Sequence, residues 1–344
     1  MVDLNQTTAR IVAVYRERYE LSYKQKTLYG KLKTSVYYGR EAEPFPTVGD
    51  FVDILEVEGG DCQIIKTLPR STYFTRLDPD PGGHREQAIA ANFDTVFIMQ
   101  SLNQNFNLRR IERYLTFAKQ SGATAVIVLT KADLIDSPDK WIDEVECIAV
   151  GTRVHAISIK TGLGLDEINK HLKPGETCVF LGSSGVGKSS LLNYLMGEDV
   201  MLVKEIREED AKGRHTTTHR QMFKLPCGAY IIDTPGMRQL GMWACSNDAA
   251  GNDSIDDPAL NIFADIEALF DMCRFSDCEH QSEPGCAVKK AIENSELDPG
   301  RWESYQKLKR EALYTQNRNE AIRKKSERNQ HIAVWSRKRR KNVW

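Results

Sequence analysis

Gly182-Ser183-Ser184-Gly185-Val186-Gly187-Lys188-Ser189 fits G-x-x-x-x-G-K-[ST], a spacing suited to holding phosphate. The glycines let backbone N–H groups close around phosphate oxygens, and the N-terminus of a following helix favours negative charge. The flanking residues fit: Cys178 to Leu181 reads as an apolar strand, and Ser190 to Met196 as a helix. Lys188 would contact the β and γ phosphates and Ser189 would ligate Mg²⁺. Ser190, next in line, belongs to the same nucleotide-facing run. The bland alternative, a Gly-rich turn that binds nothing, does not account for the full pattern in this setting.

Asp233-Thr234-Pro235-Gly236 follows the apolar Tyr230-Ile231-Ile232. A carboxylate at that strand end can hold Mg²⁺ through water, and the Gly236 N–H can reach a γ-phosphate. Alone, such a tetrapeptide is an ordinary turn; behind a phosphate loop it carries chemistry. Thr130-Lys131-Ala132-Asp133 follows the strand-like Ala125 to Leu129. Asp133 there can accept hydrogen bonds from N1 and the exocyclic amine of guanine, which adenine does not offer. Ser158-Ile159-Lys160, after the strand-like Val154 to Ile157, could close over the same guanine edge. Between the loop and Asp233 lies Gly213-Arg214-His215-Thr216-Thr217-Thr218-His219. A threonine hydroxyl here could complete Mg²⁺ coordination in one nucleotide state and release it in the other, and Thr217 is the first candidate.

A second kind of site stands at Cys273, Cys278, His280 and Cys286: three thiols and an imidazole within fourteen residues. This is the soft ligand set of a closed tetrahedral Zn²⁺ site, with no position left for water, so its expected role is structural. Cys62, Cys147, Cys178, Cys227 and Cys245 are scattered and read as ordinary thiols.

The elements that must position these residues fall into three segments. Residues 1–85 hold short β-branched and aromatic runs, Ile11 to Tyr15, Leu32 to Tyr38 and Phe51 to Val57, separated by glycines. They predict an OB-like β-barrel of about five strands. Over 86–245 apolar runs such as Thr95 to Met99 alternate with helical stretches such as Leu108 to Gln120, whose Leu108, Ile111, Leu115 and Ala118 share a face. That rhythm predicts an α/β fold, a mainly parallel sheet covered by helices, as in a P-loop GTPase domain. Residues 246–344 open with a polar connection from Ser246 to Asp257, then carry the cysteine cluster and a helix from Arg301 to Arg323, a zinc-binding, mainly helical domain. The basic tail sets nine cations, Arg323, Lys324, Lys325, Arg328, Arg337, Lys338, Arg339, Arg340 and Lys341, against Glu327 alone. Beside a barrel, such a tail points to RNA, although a charge run is more often a solvated terminus.

Composition bounds these readings. With 344 residues, 41% hydrophobic, 28% charged and a net charge of -1, the chain has material for two or three soluble domains and no global bias toward nucleic acid. It has no apolar stretch of the roughly 18 residues that would span a bilayer, and Met1 to Arg10 lacks a signal-peptide core. A cytoplasmic, membrane-free monomer is expected.

The base-reading motifs precede the phosphate loop, the reverse of the order in ordinary small GTPases. With this permuted order, Gly213 to Thr218, Asp233 to Gly236, the barrel-like start and the Cys-Cys-His-Cys cluster, the chain resembles the circularly permuted GTPases of small-ribosomal-subunit assembly, the RsgA or YjeQ family. The resemblance covers nearly the whole chain. It implies a GTP hydrolase that binds the small subunit and its rRNA through the barrel and zinc domains, is stimulated by it, and leaves after hydrolysis late in maturation. Three positions depart from common patterns: Thr130 where many relatives have Asn, Met237 where many GTPases have a water-orienting Gln, and Ala244 where some relatives have His. Orienting the water then falls to His215, His219 or a group from rRNA. The competing readings are a nucleotide-dependent RNA-binding module with incidental hydrolysis, an ATPase, and a zinc-dependent nucleic-acid enzyme.

Overall fold

The computed structural model describes residues 7–16, 18–24, 26–38, 43–77, 86–201, 220–233 and 262–314. These divide into two compact units, the second holding 265–314.

The first unit begins with β1 (Thr7–Val14), β2 (Tyr19–Tyr23), β3 (Lys26–Leu32), β4 (Phe51–Leu55) and β5 (Cys62–Thr67). Their order is β1-β2-β3-β5-β4, and β4 pairs back onto β1, so five strands close into a barrel. All neighbours are antiparallel except β3 and β5. Alternate residues point inward, and Ala9, Ile11, Leu21, Val52, Ile54 and Ile64 form its core. The expected strand Leu32 to Tyr38 is corrected: β3 ends at Leu32, and Thr34–Tyr37 form a helical turn, α1. The edge of β3 is already taken by β5, and Lys33 N–H closes that edge on the Ile64 carbonyl at 3.0 Å. The chain therefore turns inward, burying Tyr37 completely with its hydroxyl 3.0 Å from Thr67 Oγ1.

A hairpin follows, β6 (Tyr73–Leu77) with β7 (Glu86–Ala91). The expected α/β alternation comes next: β8 (Thr95–Ser101), α2 (Leu108–Gln120), β9 (Thr124–Thr130), α3 (Asp139–Ile148), β10 (Arg153–Ala156), α4 (Leu165–Asn169), β11 (Thr177–Gly182), α5 (Lys188–Met196), β12 (Arg220–Lys224) and β13 (Tyr230–Asp233). Strands β10-β9-β8-β11-β13 are parallel. Every residue of β8 and β11 is buried, which is why both read as unbroken apolar runs rather than alternating ones. α2 starts where Asn107 Oδ1 accepts from Arg110 N–H at 3.0 Å, and its Ile111, Leu115 and Ala118 are buried. Because the strands run in parallel, Thr130, Ala156, Gly182 and Asp233 all end on one edge of the sheet. In open parallel sheets ligands bind outside this edge, which makes it the candidate site.

β12 is the exception in direction: it pairs antiparallel with β13 on one side and with β1 of the barrel on the other. Barrel and parallel sheet are thus one eleven-stranded sheet. Near the join, the largely buried Arg10 donates to the Gly49 and Asn92 carbonyls and to Thr177 Oγ1. Gly49 packs so close to the Ala91 carbonyl that an added Cβ would lie 1.9 Å from its oxygen, and its positive φ of 93° is a second reason for glycine there.

The second unit is built from short helices, α6 (Ala264–Glu267) and α7 (Ala287–Glu293), and a longer one over 299–314. Arg301 donates to Asp265 at 2.9 Å and Tyr305 to Glu267 at 2.9 Å, tying the longer helix to the unit's first turn. The expected helix Arg301 to Arg323 is helical as far as 314, and the rest, with the basic tail and the Ser246 to Asp257 connection, lies outside the described residues.

Candidate functional site

The phosphate-loop sequence bridges β11 and α5. Gly182 closes β11 with its Cα side pressed on the neighbouring strand: a Cβ would lie 2.7 Å from the Met99 carbonyl oxygen. Gly185 and Gly187 take positive φ of 74° and 103°, conformations that a side chain would strain. Val186 is buried between them, while Ser183, Ser184, Ser189 and Ser190 keep some exposure. Lys188 starts α5, and its Nζ donates to the Gly182 and Ser183 carbonyls at 2.7 and 2.8 Å. The ammonium is therefore held over the loop, and the first N–H groups of α5 face the same way.

Asp233 ends β13 beside this loop. Burial raises its pKa above the ordinary carboxylate value, and the Lys188 charge opposes that rise. A half-buried carboxylate that feels the charge of the loop lysine is suited to a cation held at the same place. Gly236, Thr217, His215, His219, Met237 and Ala244 lie outside the described residues.

The guanine-reading candidates come together from two strand ends. Asp133 sits in a 3-10 turn, Ala132–Leu134, after Lys131, whose φ of 60° is left-handed. Ala132 N–H donates to the Ile157 carbonyl at 3.0 Å, which fixes the two motifs side by side. Ser158 Oγ donates to Asp133 Oδ1 at 2.7 Å and Lys160 Nζ lies 3.6 Å from Oδ2. The hydrogen bond from Ser158, with Lys160 adding its charge, pulls the Asp133 pKa below the usual value. Asp133 is thus held as an acceptor-only carboxylate. Ile159 packs on the core under the turn, and Lys160 is exposed.

Thr130 does something its motif did not announce. It is buried, and its Oγ1 donates to the Val186 carbonyl at 2.6 Å, linking the candidate base-reading segment to the candidate phosphate loop. A threonine in place of asparagine signalled only an absent amide; its partner 56 residues away was beyond local reading.

In the second unit the ligand atoms of Cys273, Cys278, His280 and Cys286 lie within 4.8 Å of one another. Bonds of tetrahedral zinc would set neighbouring sulfurs about 3.8 Å apart, and His280 Nδ1 is already 3.5 Å from the sulfurs of both Cys273 and Cys286. Burial lowers the His280 pKa, favouring the neutral ring that can ligate a metal. The Ala287 N–H points at Cys273 Sγ at 3.4 Å, and Phe270 stacks on the His280 ring at 4.3 Å, so the ligands have the supporting shell that metal sites use. The residues fit a closed, soft-ligand metal such as zinc.

The comparisons with known proteins bear on the arrangement as a whole. The family model described as RsgA GTPase matches residues 67–243, just over half of the chain. A protein of Listeria monocytogenes named small ribosomal subunit biogenesis GTPase RsgA 2 is 42% identical over 93% of this chain and 87% of its own length. One of Methanosarcina acetivorans named small ribosomal subunit biogenesis GTPase RsgA is 41% identical over 86% of this chain and 78% of its own length. Among solved structures, YjeQ from Thermotoga maritima matches with a TM-score of 0.60 at 28% identity, covering 90% of this chain and 99% of that one. YloQ, described as a circularly permuted GTPase, matches with a TM-score of 0.56 at 23% identity over 92% and 98%, which speaks for the fold. The similarity extends over most of the length of these proteins and of this one, and the chain belongs to the RsgA GTPase family.

Proposed function

We propose that this protein hydrolyses GTP to GDP and phosphate in late maturation of the small ribosomal subunit, which it binds and which stimulates it. The observation that carries the reading is the convergence of 130–133, 158–160 and 182–190 with Asp233 on one sheet edge, in a chain 42% identical over 93% of its length to a small ribosomal subunit biogenesis GTPase.

In this reading Asp133, braced by Ser158 and Lys160, selects guanine, and Thr130 to Ala132 with Ile159 shape its pocket. Gly182 to Ser190 wrap the phosphates, with Lys188 neutralising developing charge. Ser189 and Asp233 would hold Mg²⁺, which would supply charge to polarise the phosphates; the Gly236 N–H and Thr217 would complete the site on the γ side. Met237, where many GTPases carry a water-orienting Gln, sets a slow turnover that docking raises. Segments 1–85, 86–245 and 246–344 serve as barrel, GTPase domain and zinc domain, with zinc a structural staple on Cys273, Cys278, His280 and Cys286. The barrel, zinc domain and basic tail supply the contacts to rRNA. The protein works as a cytoplasmic monomer; among the described residues no helix is long and apolar enough to cross a membrane.

The deciding experiment is phosphate release from GTP with and without purified small subunits. Turnover should rise when subunits are added. Equal rates would sink the ribosomal part, and tight GTP-dependent RNA binding with no turnover under any condition would favour an RNA-binding module instead.

A further inference from the structure

β13 ends at Asp233, so whatever fixes the last rungs of β13 fixes that carboxylate. The only strand paired with its outer edge among the described residues is β12, in the register Gln221↔Asp233 and Met222↔Ile232. β12 is in turn paired with the barrel strand, Ala13↔Gln221 and Val14↔Arg220. Ala13, Gln221 and Asp233 therefore stand in one row across three strands, with about 5 Å between neighbours. β1 divides its labour: Thr7 to Arg10 pair with β4 to close the barrel, and only its last two residues, Ala13 and Val14, reach β12. β12 has four rungs with β13 but only two with β1, so its hold on the side away from β13 leans on its side chains.

Arg220 supplies that hold. It is the first residue of β12, directly behind the Gly213 to His219 segment in sequence. Its guanidinium leaves the sheet edge and grips the hairpin: NH1 donates to the Ala88 carbonyl at 3.0 Å and NH2 to Gln87 Oε1 at 3.2 Å. A planar fork can satisfy two acceptors on one strand at once, which a lysine ammonium does only as a point charge. Arg220 thus ties the start of β12 to β7, next to the rung that bears Asp233.

We propose that Arg220 is a positioning residue for Asp233: by pinning the start of β12 to Gln87 and Ala88 of β7, it holds the end of β13 where the carboxylate meets the magnesium side of the nucleotide site. This rests on the reading of Asp233 as the Mg²⁺-side carboxylate. It also makes barrel strand β1, hairpin strand β7 and the hydrolytic edge parts of one hydrogen-bonded lattice.

The test uses the full-length protein and two readouts: the Mg²⁺ concentration giving half-maximal GTP hydrolysis, and amide hydrogen exchange over 220–233. Arg220→Ala should raise the Mg²⁺ requirement about fivefold and speed exchange over 220–233, with GDP affinity in the absence of Mg²⁺ unchanged. Arg220→Lys should recover part of both effects, and Gln87→Ala, which removes one partner and leaves β12 intact, should shift both in the same direction by less. Asp233→Asn separates the two layers. If it leaves the Mg²⁺ requirement unchanged, the reading of Asp233 fails. If it shifts that requirement while Arg220→Ala and Gln87→Ala do not, the positioning role of Arg220 is overturned.

Discussion

Thr130 Oγ1 donates to the Val186 carbonyl across 2.6 Å. One hydrogen bond between buried groups thus connects the end of β9, where guanine would be read, to the loop that would hold its phosphates. Replacing Thr130 with Val keeps the shape and removes the donor, leaving a buried carbonyl without this partner. The expected cost is about 1–3 kcal/mol of stability, read by chemical denaturation, with weaker binding of GDP and GTP alike. An unchanged GDP affinity would show that the link does not order the loop.

Asp133 is an acceptor on both oxygens, braced by Ser158 and Lys160. Asp133→Asn presents one donor and one acceptor instead, which matches the 2-oxo group of xanthine better than the 2-amino group of guanine. Preference should move from GTP toward xanthosine triphosphate by at least about a hundredfold, measured by competition. ATP should remain a poor competitor of GTP for the unmodified protein; equal competition would mean that adenine is accepted.

Lys188→Ala and Ser189→Ala act on different atoms of the same site. Without its ammonium or its Mg²⁺-facing hydroxyl the site loses charge stabilisation in the transition state, and phosphate release should fall by about a thousandfold or more in each. Retained hydrolysis in either variant would refute the assignment of the loop.

The Cys273, Cys278, His280 and Cys286 cluster predicts one zinc per chain, measured by elemental analysis of purified protein. Cys278→Ser should lower that content and loosen residues 265–314, seen as faster proteolysis there. Metal binding at such sites contributes on the order of 10 kcal/mol to folding, so a chelator should act in the same way. Full retention of order in 265–314 without metal would remove the structural role.

His155 and His171 present their Nε2 atoms 3.0 Å apart, and burial, with their mutual repulsion at His171, lowers both pKa values below 6.5. A histidine whose folded pKa is lowered takes up a proton more readily when unfolded. Its contribution is therefore complete above about pH 6.5 and is lost as pH falls through 6.5 toward the folded value. The melting temperature should drop between pH 7 and 5.5, and less steeply in His171→Gln than in the unmodified protein. Parallel pH profiles for the two would dismiss the pair as a source of acid sensitivity.

The candidate site residues could be picked out in the sequence because their patterns depend on neighbours in the chain. Glycine at 185 and 187 and lysine at 188 match a phosphate-loop pattern, and the structure gives both glycines a positive φ and sets the lysine ammonium on the loop carbonyls. The buried strands β8 and β11 and the amphipathic α2 followed from apolar runs and helical spacing, and Cys273 to Cys286 are close enough in sequence for their chemistry to be read there. Leu32 to Tyr38 marks where such reading stops: composition favoured a strand, but β5 had taken the edge of β3 and Tyr37 filled the barrel. The tertiary structure alone decided that Thr130 meets Val186, that Ser158 and Lys160 brace Asp133, that His155 meets His171, and that β1 is shared between the barrel and β12. Each is a pairing between distant segments, set by sheet order and register. Hydrophobic period fixes which face of a strand is buried, but not which strand lies beside it.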